Sequence, residues 1–262
     1  MRSHLPASKM SLIVKSANRV IRMTPRAIAL IALVTALSAA CNGTSSQSEP
    51  GPAVPAATHE ASSGSEHEFP DPQTYAHRLD DPARDEWQRP KEVVELLQCG
   101  QGMTAVDLGA GTGYFIRYLS AAVGAEGHVL ALDTERSMID LLVARIEQEQ
   151  LRNVRPEIVA PDDPALAARS VDRILVANTW HHISERVAYA EKLFAALRPG
   201  GLLLIVDLTM ESPMGPPAHK RLTHDTVVHE LEAAGFAAHL VEESLPYQYV
   251  VAGRVPQADQ ND

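Results

Sequence analysis

From about residue 90 the chain alternates between two kinds of stretch, and this alternation limits the fold more than any other feature. Short apolar runs, "MTAVDLG", "HVLALD", "VRPEIVA", "VDRILVAN" and "LLLIVDL", have the length and bounding residues of buried strands. Between them lie longer stretches with apolar residues at helical spacing: "GYFIRYLSAAVG", "RSMIDLLVARIEQEQL" and "RVAYAEKLFAAL". "PKEVVELL" precedes the series, with Pro90 at a helix start, and "THDTVVHELEAAGF" follows it, with Thr223 as its cap. Gly124 and Gly235 stop two of the helices, and "RPGG" closes a third. Strands that alternate with helices pack as a parallel sheet covered on both faces, and right-handed crossovers make it doubly wound. The last two runs, "AAHLVEESL" and "YQYVVAGRV", meet at "PY", whose tyrosine opens the second run, and so short a link suits an antiparallel pair. The expectation is an α/β fold with a doubly wound, mainly parallel seven-stranded sheet whose last strand is reversed.

Before this body the 262-residue chain reads as an address. Residues 1–41 hold six basic residues and no acid, and they end in the apolar run "AIALIALVTALSAA" followed by Cys41. That run has 14 residues, short of the roughly 20 that span a bilayer and suited to a signal segment. "LSAAC" resembles the lipobox of bacterial lipoproteins, with Leu37 one place further from the cysteine than usual. The expectation is a signal peptide over 1–41 and a lipid anchor at Cys41 in the bacterial envelope. The long basic lead makes Met10 and Met23 alternative starts, and an uncleaved N-terminal anchor, or a cytoplasmic enzyme behind a mis-assigned start, is the alternative reading. Residues 42–68, rich in Ser, Pro, Gly and Ala, read as a disordered linker, 69–255 as the folded domain and 256–262 as a tail. Beyond residue 41 the remaining 17 basic and 33 acidic residues give a charge of −16. Such a body repels phosphate backbones, so nucleic acid is not an expected partner. The only other cysteine, Cys99, reads as a half-buried packing residue. His219, His224 and His229 recur at intervals that share no helical face, so no metal site is expected.

The first strand runs into "AVDLGAGTGYF", with three glycines in five positions. The first βα turn of such a sheet lies at the carboxyl edge of the strands, where ligands bind, and glycines there let a ligand approach the main chain. Asp107 ends the strand just before the loop, and Asp133 ends the next strand, 20 residues after Gly113. A carboxylate at position 133 can accept hydrogen bonds from both hydroxyls of a ribose. Two ligands fit this outline. A dinucleotide site prefers GxGxxG, with its pyrophosphate on the helix N-terminus. Here the pattern is GxGxG, and an acid stands beside it, which suits a sulfonium or ammonium better than a pyrophosphate.

"VDLGAGTGYF" resembles the first motif of class I S-adenosylmethionine-dependent methyltransferases, whose fold is Rossmann-like. The resemblance covers about Tyr75 to Val255. "VANTWHHI", "LRPGGLLLIVDL" and "LEAAGF…LPYQYVV" resemble segments of the family's bacterial small-molecule branch, which includes quinone-type methylases. It implies S-adenosyl-L-methionine as cofactor. It also implies that Asp107 and the loop Gly109, Ala110, Gly111, Thr112 and Gly113 face its methionine part, and that Asp133 holds the ribose. By the same resemblance Thr134 and Met138 lie near the adenine, Asp162 or Asp163 sits by the adenine amine, and Asn178 borders the methyl group. "APDDPAL" departs from the family's usual Gly-Asp-Ala turn at that third strand.

Methyl transfer is an in-line displacement in which the protein supplies position, desolvation and sometimes a base. "NTWHHI" follows the fourth strand at the ligand edge, so His181 or His182 is a candidate proton acceptor, and Trp180 either stacks on an acceptor or packs. Asp207, ending the fifth strand, is a candidate to orient the acceptor. "MESPMGPPAHKRL" reads as a loop that either shapes the substrate pocket or merely connects, and Tyr247 and Tyr249 as filling the final strand pair in preference to walling that pocket. Arg84, Trp87 and Gln88 either close over the cofactor or form an ordinary helical turn. Three functions are consistent with these residues: a methyltransferase acting on a small molecule, a membrane-anchored binding module that keeps the fold without catalysis, and, disfavoured by the glycine spacing, a nicotinamide dehydrogenase.

Overall fold

The computed structural model describes residues 81–257. The signal segment, lipobox, linker and most of the tail read from the sequence lie outside the described residues. Two short helices open the described part, α1 (Arg84–Gln88) and α2 (Pro90–Leu96), broken at Arg89, whose φ of 43° is left-handed. Then follow β1 (Thr104–Leu108), α3 (Ile116–Val123), β2 (His128–Asp133), α4 (Arg136–Glu149), β3 (Val154–Ile158), β4 (Val171–Ala177), α5 (Arg186–Ala196), β5 (Leu197–Leu208), α6 (His224–Ala233), β6 (Ala237–Val241) and β7 (Gln248–Arg254).

The seven strands lie in the order β3-β2-β1-β4-β5-β7-β6. β1 pairs in parallel with β2 and β4, β2 with β3, and β4 with β5, while β7 runs antiparallel to both of its neighbours. One strand is therefore reversed and it is the last, as expected. It does not lie at the sheet edge, however, but inserts between β5 and β6, and the link between β6 and β7 is six residues long, 242–247. The "RPGG" segment also differs from expectation. It does not simply close α5 but lies inside β5 as a bulge, where Val171 pairs with Leu197 and Arg173 with Leu202. Pro199 has no N–H for a ladder and Gly200 has φ 76°, so the extra residues bow out and pairing resumes beyond them.

Strand periodicity sorts the core onto two faces. Ala105, Val129, Ala131, Leu202, Leu204, Val206, Val250 and Ala252 face α2, α3 and α4. Val106, Leu132, Leu203, Ile205 and Val251 face α5 and α6. At roughly 1.5–3 kcal/mol for each large buried apolar side chain, these two layers dominate the stability of the domain. The same parity sets the chemistry at the strand ends. Asp107 follows Ala105 on the first face, and Asp207 follows Leu203 and Ile205 on the second, so the two carboxylates project from opposite sides of the sheet.

Candidate active site

The chain leaves β1 and β4, which are neighbours, toward opposite faces, opening a crevice at their carboxyl ends. A cavity of about 710 Å³ lies there. The glycine loop forms one wall. Gly109 and Ala110 donate to the carbonyl of Leu132 at 2.8 and 3.0 Å, which pins the loop to the end of β2. Gly109 has φ 75°, and a Cβ on it would collide with the Thr179 side chain at 2.2 Å. Gly109, Ala110, Gly111 and Thr112 line the cavity. Gly113 does not: a Cβ there would strike Leu142 and Ile116 at 2.5 and 2.8 Å, so this glycine serves the packing of the loop on α3 and α4.

Asp107 lines the cavity with 2% of its surface exposed, and its Oδ2 accepts no hydrogen bond among the described residues. Burial pushes its carboxyl pKa up to about 7, with the Arg84 guanidinium opposing the rise and Asp133 adding to it. An unmatched buried carboxylate beside an open main-chain bend suits a cationic ligand group. Asp133 accepts from the N–H of Gly111 at 2.7 Å on one oxygen and from that of Glu135 at 2.9 Å on the other. These bonds hold the carboxylate rigid and leave each oxygen a second lone pair. Thr134 and Met138 line the same part of the cavity. Asp162 and Asp163 do not. Both are exposed, Asp163 turns back to the N–H of Ala165, and the wall beyond β3 is made by Val159 and Pro161.

The opposite wall carries the histidines. A turn over Trp180–His182 follows β4, and both His181 and His182 line the cavity. His181 Nδ1 lies 2.9 Å from each carboxylate oxygen of Asp207, and the two side chains are 6% and 4% exposed. Asp207 also accepts from the N–H of Leu208 at 2.8 Å. It does not line the cavity itself and reaches it only through His181. A carboxylate can only accept, so Nδ1 carries the proton and Nε2 offers a lone pair. Trp180 is fully buried, and its Nε1 donates to Glu230 at 2.9 Å, while Arg186 holds the other oxygen of Glu230 at 2.8 Å. The indole therefore anchors the histidine turn and does not present a face to an acceptor.

Helix α1 lies against the wall that carries the glycine loop. The Arg84 guanidinium stacks over the Tyr114 ring at 4.0 Å, and the Tyr114 hydroxyl donates to Asp85. Arg84 and Trp87 line the cavity. The remaining wall is the loop after β5, with Pro213, Met214, Gly215 and Pro216. One side chain organises it: Arg221 donates to the carbonyls of Pro216, Thr209, Met210, Ser212 and Met214 at 2.8–3.1 Å. Tyr249 is buried in β7 and donates to the Leu222 carbonyl at 3.2 Å, so it fills the strand pair as expected, whereas Tyr247 is partly exposed in the hairpin. Sequence reasoning passed over Arg221, Gln248 and Tyr189. Tyr189 lines the cavity from α5, where it lies one turn before the buried Leu193; a polar-tipped ring on that apolar stripe was the available signal.

Comparison with known proteins agrees with this geometry. Residues 105–201 match a methyltransferase domain family. A crystal structure of an S-adenosylmethionine-dependent methyltransferase from Aquifex aeolicus is 31% identical, with a TM-score of 0.67, over 71% of this chain and 98% of that one. Another, from Mesorhizobium loti, is 20% identical with a TM-score of 0.54 over 67% and 99%, and shares the fold. A demethylmenaquinone methyltransferase from Listeria welshimeri is 23% identical over 131 residues, 48% of this chain and 53% of that relative. The chain thus spans about half the length of the curated relatives it matches. With a 31% identical relative matched along almost its whole length, the chain belongs to the S-adenosylmethionine-dependent methyltransferases.

Proposed function

We propose that this protein moves the methyl group of S-adenosyl-L-methionine to a small, largely apolar acceptor, with His181 taking the acceptor's proton and Asp207 holding His181. The observation that carries the reading is the His181–Asp207 pair, 2.9 Å apart at the edge of a cavity whose other wall is the glycine loop with Asp107. The residues present fit the cofactor: Asp107 offers an unmatched buried carboxylate to its cationic end, and Asp133 has lone pairs left for the ribose hydroxyls. Thr134, Met138, Val159 and Pro161 give the adenine a mostly apolar slot. When bound, the cofactor supplies a methyl carbon on a positively charged sulfur.

With that methyl group directed at the acceptor, Nε2 of His181 would take the proton that the acceptor gives up on being methylated. Asp207 fixes the tautomer that leaves Nε2 free to accept and stabilises the imidazolium that results. The acceptor side supports an uncharged, apolar molecule, because Ile183, Leu208, Pro213 and Met214 line it and no lysine does among the described residues. The demethylmenaquinone methyltransferases among the relatives support the same class.

The test is calorimetry of the chain with S-adenosylmethionine, followed by labelled-methyl transfer to fractionated apolar extracts. Binding with transfer supports the reading, and absence of binding rejects it. One observation favours a second reading. A leader that exports the body would separate it from a cofactor made in the cytosol, leaving a binding module of the envelope. That reading requires cofactor or acceptor binding with no transfer by the intact protein.

A further inference from the structure

Three carboxamides from distant parts of the chain close a ring of hydrogen bonds beside the cavity. Gln88, ending α1, donates from Nε2 to Oε1 of Gln248 at 2.8 Å. Gln248, opening β7, donates from Nε2 to Oδ1 of Asn178 at 2.7 Å. Asn178, just past β4, donates from Nδ2 to Oε1 of Gln88 at 3.0 Å. Gln88 and Gln248 are 0% and 1% exposed. Only Asn178 among the three lines the cavity. Its backbone is already committed, with φ 55° and its N–H donated to the Val206 carbonyl at 2.8 Å.

Each amide gives one proton to the ring and takes one, so burial leaves no ring group unmatched. Each also keeps one N–H and one oxygen lone pair outside the ring, and those of Asn178 are the ones a ligand in the cavity meets.

Such a ring can run in either sense, since half a turn of every carboxamide exchanges its oxygens and nitrogens. One outside contact chooses between them. Arg84, which can only donate, directs Nε and Nη2 to Oε1 of Gln88 at 3.4 and 3.3 Å. An amide nitrogen at that point would set donor against donor. Gln88 therefore shows oxygen to Arg84 and nitrogen to Gln248, and Asn178 must then turn its nitrogen to Gln88 and its oxygen to Gln248. Arg84 is also the residue stacked on Tyr114 and acting on Asp107.

We propose that Gln88 and Gln248 are positioning residues that hold the Asn178 carboxamide in one orientation against the cofactor, through a ring whose sense Arg84 sets. The part that concerns the cofactor rests on the function proposed above, whereas the ring and its sense do not. Helix α1 and the last strand thereby act on the ligand without touching it, and hydrogen bonds polarised in series make the three amides one unit.

The ring is read first without ligand, by nuclear magnetic resonance of the side-chain amides in the 15N-labelled chain. The wild type should show one set of signals for each of the three amides, with slow exchange of the in-ring protons. Arg84→Met, which keeps length and removes the donors, should give doubled or broadened signals as both senses become populated. Fast exchange in the wild type, or one unchanged sharp set in Arg84→Met, would overturn the proposal. Calorimetry with S-adenosylmethionine then reads the consequence. Gln88→Leu, Gln248→Leu and Asn178→Ala should each weaken binding about five- to tenfold, with the double variant Gln88→Leu/Asn178→Ala no weaker than the worse single one. Additive losses, or three unchanged affinities, would overturn the positioning role. A wild-type chain that binds no S-adenosylmethionine would instead reject the function on which this part rests, and the amide spectra would still decide the sense of the ring.

Discussion

Asp107 shows at the scale of one residue how burial can serve binding at the expense of stability. Its pKa rises from 3.8 to about 7, so between those values the folded chain holds a proton that the unfolded chain has lost. Stability then falls as pH rises from about 4 to about 7, by up to ~4 kcal/mol from this group. Asp107→Asn should remove that part of the slope, which denaturant melts at a series of pH values would detect. Affinity for a cationic ligand runs the other way. S-adenosylmethionine should bind more tightly as pH rises through about 7, and in Asp107→Asn calorimetry should find weak binding with little dependence on pH in that range. His181 gives a second prediction: His181→Gln or Asp207→Asn should lower methyl transfer by roughly 10²–10⁴-fold with cofactor affinity unchanged. A comparable loss of affinity in either variant would place the pair in binding. Asp107, Asp133 and the two histidines were legible because each ends a strand or opens the loop after one. The pairing of His181 with Asp207 was not, since it depends on the parity of β5 and on the fold of a turn 26 residues away.

Single turns and strands carry the next level of control. The histidine turn is held by Trp180, whose indole is sealed in the core and tied to Glu230 on α6. Gly113 plays a related part between the loop and α4. Gly113→Ala combines φ 84° with contacts of 2.5 and 2.8 Å, and should destabilise the domain by about 1–3 kcal/mol, visible as a lower melting temperature. The loop after β5 depends on Arg221, which gathers five carbonyls. Arg221→Met should speed amide exchange over residues 209–216 and weaken the acceptor while leaving cofactor affinity unaltered. Helices and strands were legible here because their apolar spacing is strong, and the start of α6 also by its cap, since the Thr223 side chain accepts from the N–H of Thr226 at 3.3 Å. The bulge at "RPGG" was not, because proline and glycine punctuate helix ends and strand irregularities alike. Asp162 and Asp163 failed as cavity residues for a similar reason: a turn of that composition can direct its carboxylates back onto its own backbone, as Asp163 does.

For the molecule as a whole, the alternation of strands and helices sufficed to foresee a doubly wound sheet, and the final hairpin to foresee one reversed strand. Its position could not be foreseen, because hairpin pairing says nothing about which of the two strands meets β5. The lipid anchor expected at Cys41 is tested by fractionating cells that express Cys41→Ser: the variant should move from the membrane pellet to the soluble fraction, and retention in the pellet would rule out lipidation as the anchor. The interior place of β7 has a temporal consequence. A ribosome makes the chain from its N-terminus, and β6 leaves the tunnel before the strand that joins it to the rest of the sheet. Until residue 254 emerges, β5 and β6 both present bare edges to chaperones and to other nascent chains. Gln248 arrives in that same segment, so the carboxamide ring behind Asn178 is among the last contacts made during synthesis, and a product that stops short of it lacks both β7 and that ring.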